Sequence, residues 1–181
     1  MPEKEDEKNK DGGKKKGQRA HTYETRTTWT GNTGSGTENY RAYRRDHEVR
    51  ADGPPPFQGS ADPAFRGDSE RWNPEQLLLA SLSQCHMLTY LALCSLEGVT
   101  VTAYTDRATG TVTQDGKGGG RYTEAVLRPH VQVASAELVE RARELHTAAH
   151  ERCFIAASVN FPIRTEPEVT VRALSETPAV P

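Results

Sequence analysis

Cysteine is scarce in this sequence: three among 181 residues, an odd number too small for a disulfide framework. The opening segment, MPEKEDEKNK, lacks the basic-then-apolar order of a secretory signal. Free thiols in a reducing cytoplasm are therefore expected. An excess of one charge is missing too, since 23 Lys and Arg stand against 25 Asp and Glu. Without a global basic field, nothing argues for nucleic acid or an anionic membrane as partner. Long apolar runs are confined to residues 77–96, where His86 is the one side chain that can carry charge. Ser81, Ser83, Gln84, His86 and Thr89 would lack partners in lipid, whereas a helix buried in protein can satisfy them, so the membrane reading is set aside.

The length suits one domain able to bury a core without staples. Residues 1–20 are Lys, Glu, Asp and Gly with almost nothing apolar and read as a disordered charged tail; residues 21–181 form the domain. Alternation over residues 21–29 has the period of a half-buried strand, TGNTGSG (30–36) is turn chemistry, and residues 38–49 read as the returning strand. Residues 50–72 carry Pro54, Pro55, Pro56 and Pro63 and read as a long irregular loop, of the kind that is usually functional.

A helix start follows. Asn73 is a good N-cap, Pro74 suits the first helical position, and Gln76 sits where a capping-box partner reaches back. The helix should run to Leu96 and close at Gly98. Its leucines lie all round the cylinder, which predicts burial on most faces. Residues 99–113 and 121–133 read as strands joined across GKGGG, and Ser135 should cap an amphipathic helix to His150 with Leu138, Val139, Ala142, Leu145 and Ala149 on one face. A last strand, interrupted by Pro162 and Pro167 and hence at an edge, follows Val159. This order is α+β.

On the first helix, Cys85 and Cys94 point in opposite directions, about 13 Å apart along the axis at ~1.5 Å per residue. They cannot pair, and Cys94 reads as a small buried hydrophobe. Cys85 taken alone has the same bland reading. Cys153 would meet Cys85 if the second helix packs on the first.

The segment NPEQLLLASLSQCHMLTYLALCSLEGV resembles the signature helix of the OsmC and organic hydroperoxide resistance family, in which a reactive cysteine follows the Asn-Pro-Glu glutamate by ten residues, as Cys85 follows Glu75. AHERCFIAASV resembles the segment carrying the family's other cysteine, here Cys153. With DPAFRGDSERWNPEQ and the strands between, the resemblance covers about residues 22–170. It implies antiparallel sheets wrapped around a long buried central helix in an interlocked homodimer, with active sites at the interface. It also implies a thiol-dependent reductase of organic peroxides, with hydrogen peroxide as a further substrate. Cys85 would pass through a sulfenic acid to a Cys85–Cys153 disulfide, recycled by a dithiol such as a lipoylated protein, with no cofactor.

Attack on an O–O bond needs a Cys85 thiolate. The helix dipole acts chiefly in the first turn and leucine-rich burial opposes ionisation, so a cation must stand close. Arg66 is the first candidate, by its approximate match to an arginine that some family members carry before Asn-Pro-Glu; Arg44 and Arg45 are reserves. By resemblance Glu75 orients that arginine. Glu75 and Cys85 are about 15 Å apart on a straight helix, which favours a site shared between two subunits. Two other readings stand beside the peroxidase. His146, His150 and Cys153, completed by Cys85 and His86, have spacings that can hold zinc, and an OsmC-like domain can sense oxidants or bind a ligand without turnover. A bulky apolar residue is more usual in the family where His86 stands.

Overall fold

In the computed structural model, which describes residues 19–172, the chain is organised by one long helix, α1 (Pro74–Leu96). The charged tail read over residues 1–20 lies outside the described residues except for Arg19 and Ala20. Local chemistry sets both ends of α1. Asn73 has extended backbone, its side-chain oxygen accepts from Gln76 N at 2.8 Å, and Gln76 Oε1 accepts from Asn73 N at 3.3 Å, so the reciprocal cap is complete. At the far end Gly98 adopts φ 71°, Val99 N donates to Cys94 O at 2.8 Å and Gly98 N to Ser95 O at 3.4 Å. That pairing is a Schellman motif, and the positive φ is where glycine avoids a Cβ penalty.

The first strands are shorter than the alternation predicts. β1 (Arg26–Trp29), β2 (His47–Arg50) and β3 (Phe57–Gly59) form an antiparallel sheet in that order. Residues 38–46 do not extend, because the Arg45 guanidinium takes the carbonyls of Tyr43 and Tyr40 at 2.6 and 2.8 Å. It also lies over both tyrosine rings, 4.1–4.2 Å from their centroids. Gly31 sits where a Cβ would collide with the Arg44 carbonyl, which ties this turn together. The loop that follows is less irregular than its prolines suggest: it holds β3 and a single 3-10 turn, Pro63–Phe65.

Beyond α1 the expected long hairpin is present, but creased. β4 (Val101–Asp106) runs into β5 (Thr109–Gln114), turns through the glycines, and returns as β6 (Gly120–Leu127) and β7 (Pro129–Val133). β5 pairs with β6 and β4 with β7, both antiparallel. At the crease Arg128 N donates to the Asp106 carboxylate at 2.7 Å instead of a strand neighbour, and Pro129 has no N–H to give. The final strand is creased likewise into β8 (Ile163–Thr165) and β9 (Glu168–Val171) on either side of Pro167. Both lie at sheet edges as expected, but they pair in parallel, β8 with β6 and β9 with β7. The sheets are therefore mixed.

α2 (Val139–Arg152) starts later than Ser135, which makes no side-chain cap bond and leads into a 3-10 turn, Ala136–Leu138. Its Ala142, Leu145, His146 and Ala149 are buried against α1 and the β4-β7-β9 sheet, in a core with Tyr90, Leu93, Cys94, Val99, Val131, Val133 and Val169.

α1 is long and apolar enough to cross a membrane by length and composition. Here α2 and β4 cover one stripe of it, and its buried residues are Leu82, His86, Tyr90, Leu93 and Cys94. Burial on most faces is not met within one chain: Leu88 is 62% exposed and Leu96 82%.

Replacing Gly98 by Ala forces a side chain into a positive φ. It should cost about 1 kcal/mol in urea unfolding, with the slope unchanged.

Candidate functional site

α2 lies antiparallel to α1, as three polar contacts show in order: Cys85 with Cys153, His86 with His146, and Glu97 with Arg141. The cysteines expected to act together are thus brought together from residues 68 positions apart in sequence, since 153 minus 85 is 68. Cys85 is half-buried on α1, while Cys153 caps the C-terminus of α2 and is 1% exposed. Burial pushes the Cys153 thiol up to about 11, and the neighbouring Cys85 sulfur adds to the shift. Ala156 N donates to Cys153 Sγ at 3.4 Å from the 3-10 turn Ala156–Ser158. Cys94 is buried on the opposite side of α1, and burial raises its pKa too. All three thiols are free.

Two of the side chains grouped in the zinc reading, His86 and His146, do meet, but as a directly hydrogen-bonded pair. His86 Nε2 and His146 Nδ1 are 3.0 Å apart in nearly coplanar rings, and the Tyr90 ring stacks on His146 with centroids 3.9 Å apart. His86 is 1% exposed and His146 3%. Among the described residues, His86 Nδ1, His146 Nε2, Tyr90 Oη and Tyr104 Oη meet no hydrogen-bond partner. Burial lowers His86 to about 4, with Asp106 opposing and His150 adding, and lowers His146 to about 3, with His86 adding. The signal was present in α2, where His146 falls on the same face as Ala142, Leu145 and Ala149. Among the described residues no three His, Cys, Asp or Glu side chains converge as metal ligands, so the zinc arrangement of Cys85, His86, His146, His150 and Cys153 is not built.

Glu75 stands in the first turn of α1, tied down where Tyr122 Oη donates to its carbonyl at 2.6 Å. It lines a mostly apolar open cleft of about 450 Å³ with Trp29, Tyr43, Arg45, His47 and Phe65. Arg45, a reserve candidate, is thus the arginine sharing a cleft with Glu75. Arg66 is exposed, caps the 3-10 turn in a left-handed conformation (φ 68°), and lines a separate groove with Arg44, Asp46 and Asp68. Neither cysteine lines these grooves.

A family model described as OsmC-like protein matches residues 67–168. An OsmC-like protein of unknown function from Vibrio cholerae is 31% identical, with a TM-score of 0.74 over 82% of this chain and 100% of that one. An organic hydroperoxide resistance protein from Elizabethkingia anophelis is 20% identical, with a TM-score of 0.58 over 84% of this chain and 96% of that one. A putative organic hydroperoxide resistance protein from Vibrio cholerae, with captopril in one of its active sites, is 22% identical, with a TM-score of 0.56 over 86% and 95% of the two chains. Among curated proteins none matches significantly.

Two outcomes follow from these environments. At pH 7, iodoacetamide should label Cys85 more than about tenfold faster than Cys94 or Cys153, read by peptide mass spectrometry, because those two are buried with raised pKa values. The histidine pair should also make stability depend on pH. Both imidazoles titrate lower in the fold than the ordinary 6.5, so the unfolded chain takes up protons first as pH falls. Their contribution is whole above about 6.5 and is lost on the way down to about 4 for His86 and about 3 for His146. The urea midpoint should therefore drop between pH 7 and pH 5, and drop less in His86→Leu/His146→Leu.

Proposed function

Because this chain belongs to the OsmC-like family, we propose that it is a thiol peroxidase that reduces organic hydroperoxides through Cys85 and Cys153. Family membership supports a redox or peroxide-related role. The observation that carries the finer reading is the buried Cys153 thiol standing beside the half-buried Cys85, close enough for the one sulfur to shift the other's pKa. The Cys85 thiolate attacks the terminal peroxide oxygen, the O–O bond breaks, and the departing alkoxide takes a proton to leave as alcohol. Cys85 is then a sulfenic acid. Cys153 condenses with it, releasing water and forming the disulfide, which halts oxidation before the sulfinic stage. A dithiol returns both cysteines to thiols, a cycle that fits a reducing cytoplasm.

The chain acts as a homodimer in this proposal. Leu88 and Leu96 leave an apolar face of α1 uncovered, and Glu75 is about 15 Å along the helix from Cys85. In the dimer the Arg45–Glu75 cleft of one subunit is set against Cys85 of the other, so Arg45 supplies the activating charge in place of Arg66, and the apolar lining receives the organic part of the peroxide.

Purified protein with excess dihydrolipoamide should consume cumene hydroperoxide repeatedly. Cys85→Ser should abolish turnover, Cys153→Ser should reduce it and let Cys85 sulfinic acid accumulate, and Arg45→Gln should slow it by about tenfold or more. One round of oxidation without turnover would instead make the protein an oxidant sensor.

A further inference from the structure

The buried histidine pair is poorly accounted for as a source of stability. Each ring is removed from water, yet each has one nitrogen that meets no partner among the described residues, so two apolar side chains of similar shape would fill the space at no greater cost. What a hydrogen bond adds over apolar packing is direction and short range. The ring nitrogens meet at 3.0 Å, and sliding one helix past the other by a single residue, ~1.5 Å, would break that contact while leaving leucine and alanine in contact. His86 is the sequence neighbour of Cys85. His146 precedes Cys153 by two helical turns, nearly on the same face of α2, about 10 Å along the axis. The pair therefore joins the same two helices that carry the two thiols.

We propose that His86 and His146 are positioning residues: their hydrogen bond fixes the register of α2 on α1 so that the Cys153 thiol meets Cys85, and so sets the rate at which the disulfide closes. The inference deepens the peroxidase reading and rests on it for the step served. Neither ring touches peroxide in this role. The bond needs one ring to donate and the other to accept, so it survives in the neutral pair and fails when both rings are protonated. Asp106 from β4 favours a proton on His86, while His150 on α2 and burial oppose it. Tyr90 on α1 stacks on His146, and Tyr104 on β4 lies against Tyr90 with centroids 6.0 Å apart. These surroundings keep the pair neutral near pH 7.

The test compares wild type with His86→Leu/His146→Leu, which removes the bond, and His86→Gln/His146→Asn, which keeps a facing donor and acceptor at Nε2 and Nδ1. Cys85 oxidation by cumene hydroperoxide and Cys85–Cys153 disulfide formation are timed separately by acid quench and mass spectrometry at pH 7. Disulfide formation driven by diamide is timed alongside, a route that needs no peroxide. The leucine pair should oxidise Cys85 at the wild-type rate, close the disulfide about tenfold more slowly by both routes, and accumulate sulfinic acid; the Gln/Asn pair should restore closure to within about threefold. Closure at the wild-type rate in the leucine pair, or no recovery in the Gln/Asn pair, overturns the inference. Should the leucine pair fail to fold, the single variants His86→Leu and His86→Gln take its place: slow closure in the first with recovery in the second supports the role, and any other pattern overturns it. If wild type ignores peroxide while diamide closure still follows the pair, the peroxidase reading falls and the positioning role stands.

Discussion

Everything in this chain is arranged around a helix that water does not suit and that a single chain does not finish covering. α1 carries leucine on every side, and among the described residues one further long helix, α2, and the strand β4 lie against it. The covered stripe, Leu82, His86, Tyr90 and Leu93 at helical spacing, is also the stripe that holds the chemistry in place. Core and site are thus not separate regions: the packing of α2 on α1 buries the apolar surface and delivers Cys153 to Cys85 in the same step. In the dimer proposed here, the stripe left open is where the second copy completes both.

How much of this could be read from sequence follows the range of the interaction concerned. The ends of α1 were legible because Asn73, Gln76 and Gly98 act on atoms within a few residues of themselves. The glycine-turned hairpin was legible too, but its crease was not, since Asp106 captures the Arg128 N–H across 22 residues. Tyr40 and Tyr43 fell within the stretch read as the returning strand, while in the fold they serve as two walls around Arg45. Arg66 was favoured by a match in linear order, which says nothing about which groove a loop residue lines: it lines a groove separate from the one shared by Arg45 and Glu75. The nearness of Cys85 and Cys153 came through the family resemblance, whereas His86 and His146 were grouped only as candidate zinc ligands, and nothing local pointed to the direct hydrogen bond they make across 60 residues.

The electrostatic division of labour between the thiols is unequal. Cys153 is buried, which holds its proton, and the Cys85 sulfur beside it adds to that effect. A thiol kept protonated is a weak nucleophile toward free peroxide but a ready partner for a sulfenic acid already in contact with it. Burial, which would disable an attacking cysteine, suits a resolving one.

Arg45 illustrates a different economy. Long cationic side chains carry roughly 2 kcal/mol of rotamer entropy, and an arginine free in solvent surrenders much of it on meeting an anion. With two tyrosine faces and two carbonyls already around it, the Arg45 guanidinium has given up that freedom during folding. An oxygen or sulfur anion arriving beside it meets a charge that has already stopped moving.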